Sequence, residues 1–74
     1  MRRNLAIVQR DLGANLREAR ERVGLSQEAL AFSAEVDRTY VSQIERGVGN
    51  PSIGVLIRLA GSLMLDISEI LRRR

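Results

Sequence analysis

Residues 27–47 read QEALAFSAEVDRTYVSQIERG, which is the pattern of two short helices joined by a tight turn. Ser26 stands directly before the first helix, where its hydroxyl can accept a hydrogen bond from the first helical turn. Asp37 is the corresponding start signal for the second helix. Gly47 follows that helix at the position where a left-handed residue ends it. The stretch therefore predicts a pair of short helices around one turn.

The second of these helices has an apolar face and a polar face. Val41 and Ile44 lie three residues apart and indicate the face that packs inward. An α-helix fits the DNA major groove, whose base edges present hydrogen-bond donors and acceptors. Each outer side chain taken singly is also an ordinary solvated residue, but together they favour a helix that reads nucleic acid. The outer face carries only hydrogen-bond donors, namely Arg38, Thr39, Ser42, Gln43 and Arg46.

The composition narrows the classes of function. The 74 residues suffice for one domain with a small core. Because the chain has no cysteine and no histidine, it has no disulfides, none of the usual zinc sites and no nucleophile–histidine pair. It also has no lysine, and its nine acids are scattered. We therefore expect no enzyme, no metal, no cofactor and no small-molecule ligand.

Neither a membrane span nor a secretion signal is visible. The apolar runs are only a few residues long, far short of the length needed to cross a bilayer. The N-terminal residues MRRNLAIVQRDLG have charges but no sustained apolar stretch and no small-residue cleavage site. The sequence thus predicts a cytoplasmic protein.

The positive charge is unevenly distributed along the chain. The net charge is +3, yet residues 25–47 carry two arginines against four acids. Residues 1–24 carry six arginines against three acids, and residues 48–74 carry four against two. All basic residues are arginine, which suits bidentate binding of phosphate and guanine. A codon preference for arginine explains this usage more simply, so charge alone does not identify a DNA-binding surface.

Apolar spacing predicts three further helices. A long first helix has apolar residues three and four apart; Gly13 weakens its middle and Gly24 ends it. A fourth helix begins after Ser52, and Asp66 with Glu69 forms a capping-box-like start for a short fifth. The fifth helix bears the apolar residues Ile67, Ile70 and Leu71. The positions expected to face inward are Leu5, Val8, Leu12, Leu16, Ala19, Val23, Leu25, Leu30, Ala31, Ile53, Leu56, Leu59, Ala60 and Leu63.

Three segments carry a resemblance to a known family. SQEALA at 26–31, DRTYVSQIERG at 37–47 and NPS at 50–52 resemble the helix-turn-helix of the Cro/phage-repressor type, the Xre family. The resemblance runs from about Leu12 to Leu71. Within the family, DRTYVSQIERG looks most like the controller proteins of restriction–modification systems.

The resemblance implies an all-α fold, a compact five-helix domain like that of the lambda repressor. The whole chain, 1–74, would form this domain, with the helix-turn-helix core at 26–47 and the last two helices at 52–71. Met64 departs from the family, which usually has a glycine there, so we expect either a left-handed methionine or a different turn. The terminal Arg72-Arg73-Arg74 is interpreted as a solvated tail that complements a helix C-terminus.

The resemblance also implies roles for individual residues. Arg20 would pair with Glu45 and clamp the second helix of the motif to the first helix of the domain. Tyr40 is interpreted mainly as a packing residue whose hydroxyl reaches a phosphate. The family positions that face base edges are Arg38, Thr39, Ser42 and Gln43, and Gln27 matches a family glutamine that binds phosphate. The other side chains assigned to phosphate are Arg46, Asn50 and the Tyr40 hydroxyl.

Val55, Ile57 and Leu71 exceed what so small a core can hide. Scattered apolar surface residues are normal, but the resemblance implies a dimer seam formed by the fourth and fifth helices. Pairing two reading helices about one DNA turn apart increases affinity and specificity. We therefore predict a homodimer on a palindromic DNA operator.

The predicted function is a sequence-specific transcriptional regulator, with a restriction–modification controller acting on its own promoter as the preferred type. A phage-type repressor and the antitoxin of a toxin–antitoxin pair are close alternatives. A protein-interaction module is an alternative of another class, and the acidic balance of residues 25–47 favours it. The operator sequence and the sign of regulation stay open.

Overall fold

The computed structural model describes residues 2–74, and within them it forms five α-helices and no strand. None of these helices is long and apolar enough to cross a membrane. Helix α1 packs against α3 and α5, α2 packs against α3 and α4, and α4 packs against α5. The helices are α1 (Leu5–Arg22), α2 (Gln27–Ala34), α3 (Arg38–Glu45), α4 (Ile53–Ser62) and α5 (Ile67–Ile70).

Local hydrogen bonds fix the starts of the helices. The Ser26 hydroxyl accepts the N–H of Ala29 at 3.0 Å, and the Ser52 hydroxyl accepts the N–H of Val55 at 3.1 Å. Both predicted caps are therefore confirmed. Asp37 does begin α3, but its side chain makes no capping hydrogen bond. A capping hydrogen bond like those of Ser26 and Ser52 contributes about 1 kcal/mol to helix stability.

The start of α5 is a full capping box, as predicted. The Asp66 carboxylate accepts the Ser68 N–H at 2.9 Å, and the Glu69 carboxylate accepts the Asp66 N–H at 2.9 Å. Hydrogen bonds from the Ser68 side chain and backbone lower the pKa of Asp66. Helix α5 has only four residues. This reciprocal pair and the burial of Ile70 stabilise it.

One core unites all five helices. Its largest fully buried side chains come from every helix, so residues 2–74 pack around a shared centre. Three positions expected to face inward are exposed instead: Leu5, Val23 and Ile53. Leu5 and Ile53 occupy the first position of their helices, and Val23 follows the end of α1. The buried apolar residues are Leu12, Leu16, Ala19, Leu30, Ala31, Ala34, Val41, Ile44, Leu56, Leu59, Ala60, Leu63 and Ile70.

Gly13 is a packing position and not only a weak point of α1. A Cβ at this residue would lie 2.5 Å from the carbonyl oxygen of Ile44 and 2.8 Å from that of Glu45. The end of α3 therefore rests directly on the backbone of α1. Only glycine permits this approach, because both obstructing atoms belong to the backbone.

The terminal arginines are exposed, as expected of a solvated tail, but Arg72 and Arg74 also contact α1. The Asn15 amide donates to the carbonyls of Ile70 at 3.0 Å and Arg72 at 2.7 Å. The Asn15 carbonyl oxygen accepts a hydrogen bond from Arg74 at 2.8 Å. Asn15 is buried, and an unpaired buried amide is costly. The tail is thus folded back onto α1.

Two residues other than glycine adopt left-handed backbone conformations. Met64 has φ +60° and carries an almost fully exposed side chain. Of the two shapes considered for this turn, the structure has the left-handed methionine. Glu35 has φ +59° and ends α2 in the turn of the helix pair. Such conformations cost roughly 1 kcal/mol for a residue with a Cβ.

Candidate nucleic-acid interface

Helix α3 packs against the core with one side only. Val41 and Ile44 are almost completely buried, and they lie three residues apart on the side that faces the core. At 1.5 Å per residue, the helix is about 12 Å long. The opposite side of this short helix faces solvent.

The outward side chains of α3 are available to a ligand. Arg38, Thr39 and Arg46 are exposed, whereas Ser42 and Gln43 are half-buried. Within residues 2–74, none of these five side chains has a hydrogen-bond or ion-pair partner. Their side-chain donors are therefore unpaired within the protein, and solvent or a partner can satisfy them.

An ion pair fixes the position of α3. Arg20 Nε donates to Glu45 Oε2 at 2.7 Å, and Arg20 Nη2 donates to Glu45 Oε1 at 3.0 Å. The pair joins α1 to the end of α3, where the resemblance placed it. Arg20 Nη1 also donates to the carbonyl of Leu25 at 2.8 Å, which ties in the chain before α2.

Burial makes this ion pair consequential. The side chains of Arg20 and Glu45 are 11% and 3% exposed. The hydrogen bonds from Arg20 to Glu45 raise the pKa of Arg20 despite its burial. A buried charge left without its partner destabilises a protein by several kcal/mol. The pair thus holds α3 at a defined angle to α1.

Gln27 occupies a different position from the one expected. The resemblance assigned Gln27 to a phosphate, but its amide already has a partner within the protein. Gln27 is half-buried, and its Nε2 donates to Glu45 Oε1 at 3.1 Å. Gln27 therefore belongs to the Arg20–Glu45 cluster, and one of its two amide protons is already used. The local signal for this contact is absent because the partner is 18 residues away.

The loop after α3 is folded back against the motif. Gly47 and Gly49 both have positive φ, +80° and +87°. The Gln9 amide donates to the carbonyl of Gly49 and so attaches the loop to α1. Asn50 follows on this anchored loop and is exposed. Tyr40 is half-buried against the core, consistent with a mainly packing role for its ring.

The apolar surface of the last two helices differs in detail from the expectation. Val55 and Leu71 are half-buried and pack against the core, so they are not the exposed surplus that the sequence suggested. Ile57 is 55% exposed, and Ile53 is 67% exposed. These two lie four residues apart and therefore share one side of α4. The exposed apolar side of α4 is thus Ile53 with Ile57.

This geometry matches that of characterised proteins. A family model described as helix-turn-helix (HTH_3) matches residues 16–70. The chain belongs to the helix-turn-helix family. Members of this family are DNA-binding transcriptional regulators and not enzymes, so the coarse function predicted from the sequence is confirmed.

Individual relatives include restriction–modification proteins. Control protein C.MunI of Mycoplasma sp is 39% identical over 59 residues, covering 78% of this chain and 80% of that protein. The crystal structure of the controller protein C.AhdI from Aeromonas hydrophila superposes with a TM-score of 0.82 and 42% identity, covering 84% of this chain and 94% of the other. The predicted resemblance to controller proteins is therefore confirmed.

One solved relative is a complex with DNA. The structure of SinR, the master regulator for biofilm formation, in complex with DNA has a TM-score of 0.78 and 32% identity. The match covers 82% of this chain and 98% of SinR in that structure. A close structural relative of this domain thus binds DNA.

Proposed function

We propose that this protein binds a palindromic DNA operator as a homodimer and controls a restriction–modification system by acting on its own promoter. The observation that carries the proposal is the outward side of α3, a row of unpaired donors on a helix fixed by a buried ion pair. The similarity to C.MunI and C.AhdI supports the controller type. In bacteria such a regulator works in the cytoplasm, where the chromosome is.

The outward side chains divide into two roles. Arg38 can donate two hydrogen bonds to guanine and Gln43 can pair with adenine, while the methyl of Thr39 can touch a thymine methyl. Ser42 completes the base-reading set. Phosphate contacts fix the register of the protein on the duplex. The residues assigned to phosphate are Arg46, Asn50, Tyr40 and Gln27, the last through its second amide proton.

The homodimer gives the proposed operator its symmetry. A single eight-residue helix reaches few base pairs, so two copies on half-sites about 34 Å apart would be needed for a specific site. The exposed apolar pair Ile53 and Ile57 provides a surface that two copies could bury together. Sedimentation at micromolar concentration should show a two-chain species, and replacing Ile57 with Asp should give monomers.

Two arginine variants test the reading of DNA. The operator is first selected from a pool of random duplexes. Replacing Arg38 with Ala should weaken operator binding by about 1–3 kcal/mol and relax the preference at one base position. Replacing Arg46 with Ala should weaken operator and scrambled duplexes alike and reduce the salt slope by about one unit. Titrations of both duplexes at two salt concentrations measure these differences.

The two variants serve as controls for each other, since each removes one exposed arginine. Arg38 is at the start of α3 and Arg46 directly follows its end. Wild-type affinity of both variants for the operator would show that α3 does not read DNA. Uniform weakening by Arg38→Ala, without a change of base preference, would remove Arg38 from the base-reading set.

One observation favours a protein-interaction module as a second candidate. The side chain of Phe32 on α2 is 87% exposed, and Glu28 and Glu35 lie one turn to either side. An exposed aromatic with acidic neighbours suits a partner with a basic apolar surface. This candidate takes precedence if wild-type protein shows no salt-dependent DNA binding. Neighbouring genes would separate a controller from a phage-type repressor or an antitoxin.

A further inference from the structure

A shallow cleft lies between α1 and the end of α3. Its volume is about 240 Å³, which is below the roughly 300–1,000 Å³ of pockets for whole small molecules. The cleft therefore suits a single chemical group more than a complete ligand. The residues that line it are Arg10, Ala14, Arg17, Glu45, Arg46 and Gly47.

We propose that this cleft is a phosphate-binding site in which Arg10 and Arg17 of α1 act together with Arg46, and that the phosphates come from the DNA backbone. The inference rests on the proposed function and extends it. It adds α1, which lies outside the helix–turn–helix unit, to the surface that contacts DNA.

The three guanidinium groups of the cleft are only weakly engaged within the protein. Arg46 has no ion pair or hydrogen bond from its side chain among residues 2–74. Arg10 Nε lies 3.9 Å from Asp11 Oδ1, at the limit of an ion pair, with its side chain 74% exposed. Arg17 pairs with Glu21 at 3.4 Å, but both side chains are more than half exposed. Exposed pairs of this kind contribute little, so a phosphate can replace Glu21.

The carboxylates near the cleft do not cancel its positive charge. Both oxygens of Glu45 accept hydrogen bonds from Arg20, and one also accepts from Gln27. Asp11 is buried and binds Arg3 at 3.0 Å. Because the charges of Glu45 and Asp11 are each matched by an arginine outside the cleft, the positive charge of Arg10, Arg17 and Arg46 is offset mainly by the exposed Glu21.

The spacing of the arginines favours a polymer over a single ion. Arg10 and Arg17 are seven residues apart on α1, so they lie on the same side and about 10 Å apart along the axis. At this separation each arginine can bind a different phosphate, and a DNA strand presents phosphates repeatedly. Arg46 stands directly after α3, so the cleft continues the surface of the helix that reads bases.

The test compares two double variants with the same charge. Arg10→Gln with Arg17→Gln removes the cleft pair, and Arg2→Gln with Arg22→Gln removes two exposed arginines that do not line the cleft. Each lost phosphate contact lowers the slope of log affinity against log salt by about 0.9. We expect a decrease of nearly two units for the cleft variant and little change for the control. Thermal melting checks first that both variants are folded.

A second measurement identifies the source of the phosphate. The backbone amide signals of Arg46 and Gly47 are followed by NMR while inorganic phosphate or a duplex is added. If the cleft variant keeps the control's salt slope but loses a saturable response to inorganic phosphate, the site is supported and its ligand is free phosphate. If the slope and the phosphate response both match the control, the inference is overturned.

These results also separate the inference from the proposed function. Wild-type protein that fails to prefer any selected operator over scrambled DNA would refute the proposed function. A decrease in the salt slope specific to the cleft variant on scrambled DNA would still support the phosphate site. Conversely, the wild-type protein could prefer a selected operator while the cleft variant matches the control in both salt slope and phosphate response. That result would refute only the inference.

Discussion

Helix α1 contains two buried polar sites that hold different parts of the protein. In its C-terminal half, Arg20 grips Glu45 and so positions α3. Around its middle, Asp11 and Asn15 hold the chain termini: Asp11 binds Arg3, and Asn15 binds the backbone after α5. The first site sets the surface proposed to read DNA, whereas the second closes the fold.

The two sites should differ in how strongly they affect DNA binding. Disrupting the Arg20–Glu45 pair should impair both stability and DNA binding, because it releases α3. Disrupting the Asp11–Asn15 site should affect stability alone, because neither residue supports α3. Gly13 lies between Asp11 and Asn15 in sequence, and there the backbones of α1 and α3 meet. The next three predictions test this distinction.

The largest effect is expected for Glu45→Gln. The change leaves the buried guanidinium of Arg20 without a matching charge, and we expect a loss of about 3 kcal/mol in the free energy of unfolding. Urea denaturation measures this loss. The control is Glu21→Gln, which removes one partner of an exposed pair and should cost less than about 1 kcal/mol. Equal, small effects for both variants would show that the buried pair does not hold α3.

A smaller effect is expected for Gly13→Ala. The new Cβ would lie 2.5 Å from a backbone oxygen of α3, and we expect a loss of about 2 kcal/mol as the two helices separate. Gly61→Ala is the matched control, because Gly61 is helical and a Cβ there meets nothing within 4 Å. That control should stabilise the protein by up to about 1 kcal/mol. Stabilisation by both substitutions would mean that α3 does not rest on α1.

The smallest effect concerns the pH dependence of the site formed by Asp11 and Asn15, called the terminal site because it holds the chain termini. The hydrogen bond from Arg3 lowers the pKa of Asp11, and the Arg74 backbone N–H and the charge of Arg10 lower it further. The contribution of Asp11 to stability is therefore present above its unfolded pKa of about 3.9 and is lost as pH falls through the lower folded pKa.

Asp11→Asn should thus be less stable than wild type at about pH 6, and this deficit should shrink as pH falls below about 4. Urea unfolding at a series of pH values measures it. Operator affinity at neutral pH should stay close to that of wild type, in contrast to Glu45→Gln. A large loss of DNA binding would show that the terminal site also positions α3.

The sequence by itself determined the local features of this protein. Ser26, Ser52 and the Asp66–Glu69 pair set the starts of their helices, because a cap bonds to a residue two or three positions away. The period of Val41 and Ile44 determined which side of α3 faces outward. The family resemblance, carried by spaced residues across the motif, indicated the ion pair between Arg20 and Glu45.

Only the tertiary structure decided which polar groups meet across the fold. Gln27 donates a hydrogen bond to Glu45, and Gln9 donates one to the carbonyl of Gly49. Asn15 donates one to the carbonyl of Arg72 in the C-terminal segment. Gly13 permits a contact that no helical propensity shows. These partners are far apart in the chain, and their contacts depend on how helices approach one another. Local patterns carry no information about that approach, which packing of the shared core sets.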